Sequence, residues 1–201
     1  MPRGIIDEEG LNSDEIRSLR EISVPDSMPF KINKIGHVVL MVQNLDISIK
    51  FYTQILGFRV SDAYPSSMVP GRMVFLRFNT DHHGIALVGG AKSAASSKEL
   101  NHLAFEVSSL EEVFKARSHL ENHNATILFH GRRRAGCQIA VEFLDPDGHV
   151  LEIFWGIDQI GTNGFSRPAE EWCEELSLEA AINNPPPGQD TNIPDLSRSK
   201  N

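Results

Sequence analysis

The 201 residues are 40% hydrophobic and 23% charged, with a formal net charge of −8. That balance fits one globular domain, or two small ones sharing a core, and argues against nucleic acid or an anionic membrane as partner. Cys137 and Cys173 are too few for a disulfide framework, and neither a secretory leader nor an apolar run of about 18 residues occurs, so a cytoplasmic protein without a membrane span is expected.

Residues 1–30 read as an extension, with Ser13 placed to cap a short helix through Arg20 before Pro25 and Pro29 break the pattern. From Lys31 the sequence becomes periodic, and 31–160 is expected to form the main domain. Residues 34–42 read as an apolar strand interrupted by His37. Asp46 is a candidate N-cap for a helix striped by Ile47, Phe51, Ile55 and Leu56, which Gly57 ends as its C′ residue. Strands are expected at 58–63, 73–79 and 84–88, the first two joined by a turn-rich loop.

After a Gly/Ala/Ser-rich linker at 89–98 the order recurs. A strand at 101–107 precedes a helix that opens on the capping-box sequence Ser109-Leu110-Glu111-Glu112 and presents Val113, Phe114, Ala116 and Leu120 on one face. Strands follow near 125–129, 138–144 and 150–155. The chain therefore carries two βαβββ modules, 34–90 and 100–157, and an α+β fold is expected in which both pair into one curled mixed sheet around a shared cavity. A helical extension, 161–183, is expected from about Pro168 to Ile182. Residues 184–201, with Pro185-Pro186-Pro187, read as a disordered tail.

Residues two apart on a strand share a face, so His37 lies with Val39 and Met41, and His102 with Ala104. One imidazole among apolar neighbours is more often a core residue than a ligand. Two at equivalent positions of a repeat, joined by Glu152 inside the apolar run Val150–Trp155, point to a single divalent metal held by His37, His102 and Glu152. Two imidazoles and one carboxylate form the facial set of non-haem Fe(II) oxygenases, and Mn(II), Co(II) or Zn(II) also suit it. His83 alternates with Ile85 and Leu87, which aims it into the cavity near its mouth.

The chain from about 34 to 157 resembles the vicinal oxygen chelate superfamily, which includes glyoxalase I, fosfomycin-resistance proteins and type I extradiol dioxygenases. The resemblance is carried by Gly36-His37 with Phe51-Tyr52-Thr53-Gln54-Ile55-Leu56-Gly57-Phe58, by Leu100-Asn101-His102, and by Asp145-Pro146-Asp147-Gly148 with Glu152. Aligning the repeats at Phe78 and Phe143 sets Leu87 opposite Glu152, an apolar residue where glyoxalase-like members usually have a fourth ligand. Val39 stands where fosfomycin thiol transferases typically have a Thr. The segment His83-Gly84-Ile85-Ala86-Leu87-Val88 is similar to the catechol 2,3-dioxygenase segment that carries a non-ligand His over the metal. The resemblance thus implies an Fe(II)-dependent extradiol dioxygenase that cleaves a catechol-type aromatic with O₂, uses His83 as acid/base, and is a dimer as is common in the family.

Two departures stand beside this. Extradiol enzymes usually place a His and a Tyr upstream of the Glu ligand where this chain has Arg133 and Glu142, with His130 near the first of those positions. Arg132-Arg133-Arg134 reads either as a solvated basic loop or as the source of an Arg that receives a substrate carboxylate. Arg133, Glu142 and His130 are the candidate substrate-binding residues. The other readings are another metal enzyme of the superfamily (thiol transferase, isomerase or glyoxalase-like) or a metal-free small-molecule-binding protein.

Overall fold

All five α-helices of the described residues begin at a side-chain oxygen that accepts a backbone N–H: α1 (Glu8–Leu11) at Asp7, α2 (Asp14–Arg20) at Ser13, α3 (Leu45–Lys50) at Asn44, α4 (Leu110–Asn122) at Ser109 and α5 (Leu178–Asn183) at Ser177. They are seen in a computed structural model that describes residues 6–23, 29–96, 99–160 and 166–193. Pro25 and residues 194–201, parts of the expected extension and tail, lie outside the described residues. The cap of α3 is Asn44 rather than Asp46, whose carboxylate instead pairs with Arg72 at 2.9 Å. α3 runs on into a wider π turn, Phe51–Ile55, and stops at Gly57 with φ +74°. Ser109 and Glu112 make the expected reciprocal capping box.

The strands are β1 (Val38–Val42), β2 (Arg59–Tyr64), β3 (Met73–Arg77), β4 (Ile85–Gly89), β5 (Leu103–Glu106), β6 (Ile127–Arg132), β7 (Ile139–Leu144) and β8 (Val150–Trp155). The expected α+β fold and internal repeat are both present. The sheets have the orders β1-β4-β3-β2 and β5-β8-β7-β6, and in each the first strand is parallel to its neighbour and the rest are antiparallel. The register is equivalent as well: Val39 pairs with Ala86 as Ala104 pairs with Glu152.

The modules form two four-stranded mixed sheets that do not close into one another. Among the described residues no strand of one sheet pairs with a strand of the other, and β1 and β5 are each an edge. The modules join through a helix and a turn instead. Tyr52 Oη donates to Asp145 Oδ2 (3.0 Å), while Ser48 Oγ (2.8 Å) and the Gln43 N–H (2.6 Å) donate to Asp147. Phe51 packs on Phe143, and Phe58 and Phe78 pack on Phe105. One apolar core spans both modules, running from Leu40, Val42, Leu76 and Leu87 to Val113, Ile139, Val141 and Leu151. This clasp leaves the β1 and β5 edges unpaired.

The C-terminal region is also corrected. The expected continuous helix is broken into a 3-10 turn at Ala169–Glu171 and the short α5. Between them, Glu175 forms a backbone bridge with Arg132. Gly131 permits that approach, because a Cβ there would lie 2.1 Å from the Glu175 carbonyl oxygen. Arg132, fully buried, donates to the Gln189 side chain and to the carbonyls of Cys173, Ala181 and Asn184. The part of the expected disordered tail up to residue 193 therefore packs on the second module, with Pro186 and Thr191 buried.

Candidate metal and catalytic site

Period-two alternation and register bring two of the expected ligands together. His102 sits one residue before β5, and Glu152 lies on the neighbouring β8 opposite Ala104. Their closest atoms, His102 Nε2 and Glu152 Oε2, are 3.5 Å apart, an electrostatic contact longer than a good hydrogen bond. His102 Nδ1 is 2.8 Å from Asn101 Oδ1. With that nitrogen as donor, Nε2 keeps its lone pair toward the cavity, the orientation that second-shell partners impose on metal-ligating imidazoles. Asn101 was missed by reasoning from the sequence; its position next to a candidate ligand was the available signal.

Glu152 is 1% exposed, and its Oε1 has no hydrogen-bond partner. Burial raises its carboxyl above the usual carboxylate range, partly offset by His102. A buried carboxylate with an orphaned oxygen calls for a donor or a cation. The two residues line a cavity of about 430 Å³ together with Asn101, Leu128, Arg133, Gln138, Glu142 and Val150. A larger, mainly apolar cavity of about 820 Å³ lies beside β5 and α4, lined by Phe58, Phe78, Phe105 and Ile153 among others.

Arg133 and Glu142 are also brought together. Arg133 donates to Glu142 Oε1 through Nε at 2.9 Å and through Nη2, and its guanidinium lies 3.6 Å from the centre of the Phe129 ring. Glu142 is the cross-strand partner of Glu152. The pair forms a polar wall beside Glu152, and two of the guanidinium donors sit on Glu142. The basic loop is not a solvated one: Arg132 is buried against the C-terminal segment, and Arg134 pairs with Glu174 at 2.7 Å. His130 stands apart, its Nδ1 accepting from the Leu178 N–H (3.3 Å) beside a different cavity.

The first module holds the other two candidates. His37, exposed just before β1, and His83 have ring centroids 4.6 Å apart, and His83 packs on Phe75 at 5.0 Å. Partial desolvation, helped by neighbouring His37 and His82, holds the His83 imidazole below its ordinary pKa, and so neutral at pH 7. His83 does not continue the alternation with Ile85 and Leu87. Those two point into the core, while His83 precedes β4 and turns to the opposite face, toward His37. The register also corrects the repeat alignment: Ala86, not Leu87, occupies the position of Glu152, and it too is apolar.

His37 does not join His102 and Glu152. Among the described residues no three His, Cys, Asp or Glu side chains converge on one point. A single chain therefore fits two ligands of a three-ligand ion, not all three. What it holds is a His–Glu pair with an unsatisfied carboxylate oxygen and, apart from it, an imidazole pair.

Two topologically equivalent modules, each a parallel strand pair extended by a meander and carrying a His just before its first strand, define a module-duplicated fold with polar chemistry on one sheet face. The chain belongs to the Glyoxalase/Bleomycin resistance protein/Dioxygenase superfamily, whose family model matches residues 34–153. It is similar to 3-methylcatechol 2,3-dioxygenase of Pseudomonas putida, 28% identical over 63% of this chain and 43% of that protein. It is also similar to a probable trivalent organoarsenical cleaving enzyme of Bacillus subtilis, 28% identical over 61% of this chain and 80% of that one. Among solved structures, a glyoxylase/bleomycin resistance protein/dioxygenase domain from Frankia superposes with a TM-score of 0.55 at 23% identity, covering 63% of this chain and 99% of that one. The chain spans less than half the length of the catechol dioxygenase relative. No helix among the described residues is long and apolar enough to cross a membrane.

Proposed function

We propose that the protein is a metal-dependent enzyme of the dioxygenase branch of its superfamily, an Fe(II) extradiol dioxygenase acting on a catechol-type aromatic diol with O₂. The observation that carries this reading is Glu152, a buried carboxylate with an unpartnered oxygen beside His102 in an open, polar-lined cavity. The similarity to 3-methylcatechol 2,3-dioxygenase supports the substrate class. In this reading His102 and Glu152 supply two of the metal's ligands, and His37, the third expected one, stands apart from them in this structure. The Arg133–Glu142 pair walls the cavity and fixes the face from which a flat diol enters. His83, neutral at pH 7, is the group suited to take and return a proton.

The test is to load the full chain with Fe(II) under anaerobic conditions, confirm bound iron, and follow oxygen uptake over a panel of substituted catechols. Uptake with ring-opened product is expected. Iron-loaded protein that consumes no oxygen with any of them removes the dioxygenase reading. A second reading, cleavage of organoarsenicals, has in its favour that the chain covers 80% of that relative. Against it stands the thiol chemistry that trivalent arsenic seeks. Cys137 is buried with its thiol donating to the Arg134 carbonyl, and neither cysteine lines the His102–Glu152 cavity.

A further inference from the structure

The end of α4 brings together two imidazoles that the proposed function does not use. We propose that His119 and His123 form a second metal site, independent of the His102–Glu152 cavity. It takes a divalent ion that accepts nitrogen ligands at right angles, Cu(II) or Ni(II), with water in the remaining positions.

Four observations carry it. First, the two residues are four apart, so their side chains are neighbours on the helix surface, with ring centres 4.3 Å apart. A nitrogen bound at about 2.0 Å sets its ring centre about 3.2 Å from the ion, so two imidazoles at right angles have centres about 4.5 Å apart. Tetrahedral ligation would spread them to about 5.2 Å. The observed spacing fits adjacent corners of a square-planar or tetragonal ion, the geometry of Cu(II) and Ni(II).

Second, each ring already has one nitrogen committed to a backbone carbonyl. His119 Nε2 is 2.9 Å from the Ile55 oxygen, and His123 Nδ1 is 2.8 Å from the His119 oxygen. A carbonyl oxygen only accepts, so both of these nitrogens carry the proton and donate. In the neutral ring, His119 Nδ1 and His123 Nε2 therefore keep their lone pairs, and neither has a hydrogen-bond partner among the described residues. A carbonyl that fixes the tautomer in this way is a common outer partner of metal-binding imidazoles.

Third, both side chains are exposed, so an ion can reach them with its water ligands in place. Arg117, the cation one turn earlier, is held by Glu179 at 2.7 Å. Fourth, the rings stand at the C-terminus of a 13-residue helix, the end whose dipole favours a positive charge. The ion would bear on the joint between the modules as well. Ile55 ends the π turn of the first module, so a metal that immobilises His119 also holds the contact its other nitrogen makes there.

The experiment uses the metal-free full chain, labelled with nitrogen-15, and substoichiometric Cu(II). Paramagnetic broadening of amide signals is expected at Leu120–Ala125 and at Ile55 and Leu56. His119→Gln and His123→Gln should each abolish it. Either should weaken Cu(II) binding there by about 10- to 100-fold or more, since loss of an outer partner alone costs that much. Unchanged signals from the rest of the chain show that each variant is folded. His102→Ala should leave the broadening in place, which separates this site from the metal of the proposed function.

Copper that broadens only the signals around His37, His83 or His102 overturns the proposal. So does broadening at the end of α4 that survives the loss of either imidazole, which marks binding by a single side chain.

Discussion

Replacing Arg132 with Met tests how the C-terminal segment is held. The guanidinium is fully buried and no carboxylate faces it in a paired geometry; it donates to the Gln189 Oε1 (2.9 Å) and to the carbonyls of Asn184 (2.6 Å), Cys173 (3.4 Å) and Ala181. Methionine fills similar space but donates nothing, so one buried carbonyl, Ala181, and two part-buried ones, Cys173 and Asn184, lose a charged donor. At about 1 kcal/mol for each unsatisfied carbonyl, at the low end of the known range, the variant should lose about 3 kcal/mol. The relief of desolvating a cation that burial disfavours is set against that loss.

The loss is capped by the free energy that holds the segment, since residues 172–191 can detach before the two modules unfold. The assay is hydrogen exchange resolved by peptide. A loss of about 3 kcal/mol is a rise of about 150-fold in opening, confined to β6, α5 and the segment that follows. Unchanged protection there, with Arg132→Met folded, would refute the reasoning. A uniform loss across both modules would show that the segment belongs to the global core.

Other outcomes follow from the same geometry. Asp145 Oδ2 accepts from His149 Nδ1 at 2.8 Å, and that carboxylate raises the His149 pKa above its ordinary value. The ion pair's contribution, about 1–2 kcal/mol, is full below the unfolded pKa near 6.5 and is lost as pH rises through the folded value. The gap in Tm between wild type and His149→Gln should therefore narrow from pH 6 toward alkaline pH; a constant gap would exclude the pair. In metal-free protein, Glu152→Gln should be more stable at pH 7 by about 1 kcal/mol, because it removes a charge whose burial is disfavoured. That advantage shrinks as pH falls and Glu152 itself takes up a proton, and denaturant melts in chelator at two pH values check it. His83→Gln should leave bound metal unchanged and slow turnover by about 100-fold or more, while equal loss of both would assign it to the ligand set.

The sequence made the local half of this molecule readable. Helix starts at Ser13 and Ser109, the stop at Gly57, and the juxtaposition of His102 with Glu152 all follow from contacts along a chain segment or across one strand pair. Docking between modules was not readable, because periodicity says which face of a strand is apolar but not which neighbour covers it. That is why His37 was grouped with Glu152 when the structure holds it elsewhere. Arg132 shows the same limit: a run of three arginines reads as a solvated loop or a substrate-facing one, and only the arrival of residues 173–189 reveals one of them as an interior donor. The error of one position between Leu87 and Ala86 arose because the phenylalanine match Phe78–Phe143 is not the structural one; Leu76 holds the place of Phe143 in the ladder.

Ala86 has a consequence of its own. It is the counterpart of Glu152 in a repeated unit, fully buried and flanked by Val39 and Phe75 where the second unit has Ala104 and Glu142. The two halves of the chain thus share a scaffold but not a chemistry: the second carries Glu142 and Glu152 at the ladder positions where the first has Phe75 and Ala86. A duplication that has specialised in this way tolerates change unevenly. Substitutions on the shared ladder should be felt alike in both halves, whereas an acid placed at Ala86 would bury a carboxylate between Val39 and Phe75, two apolar neighbours.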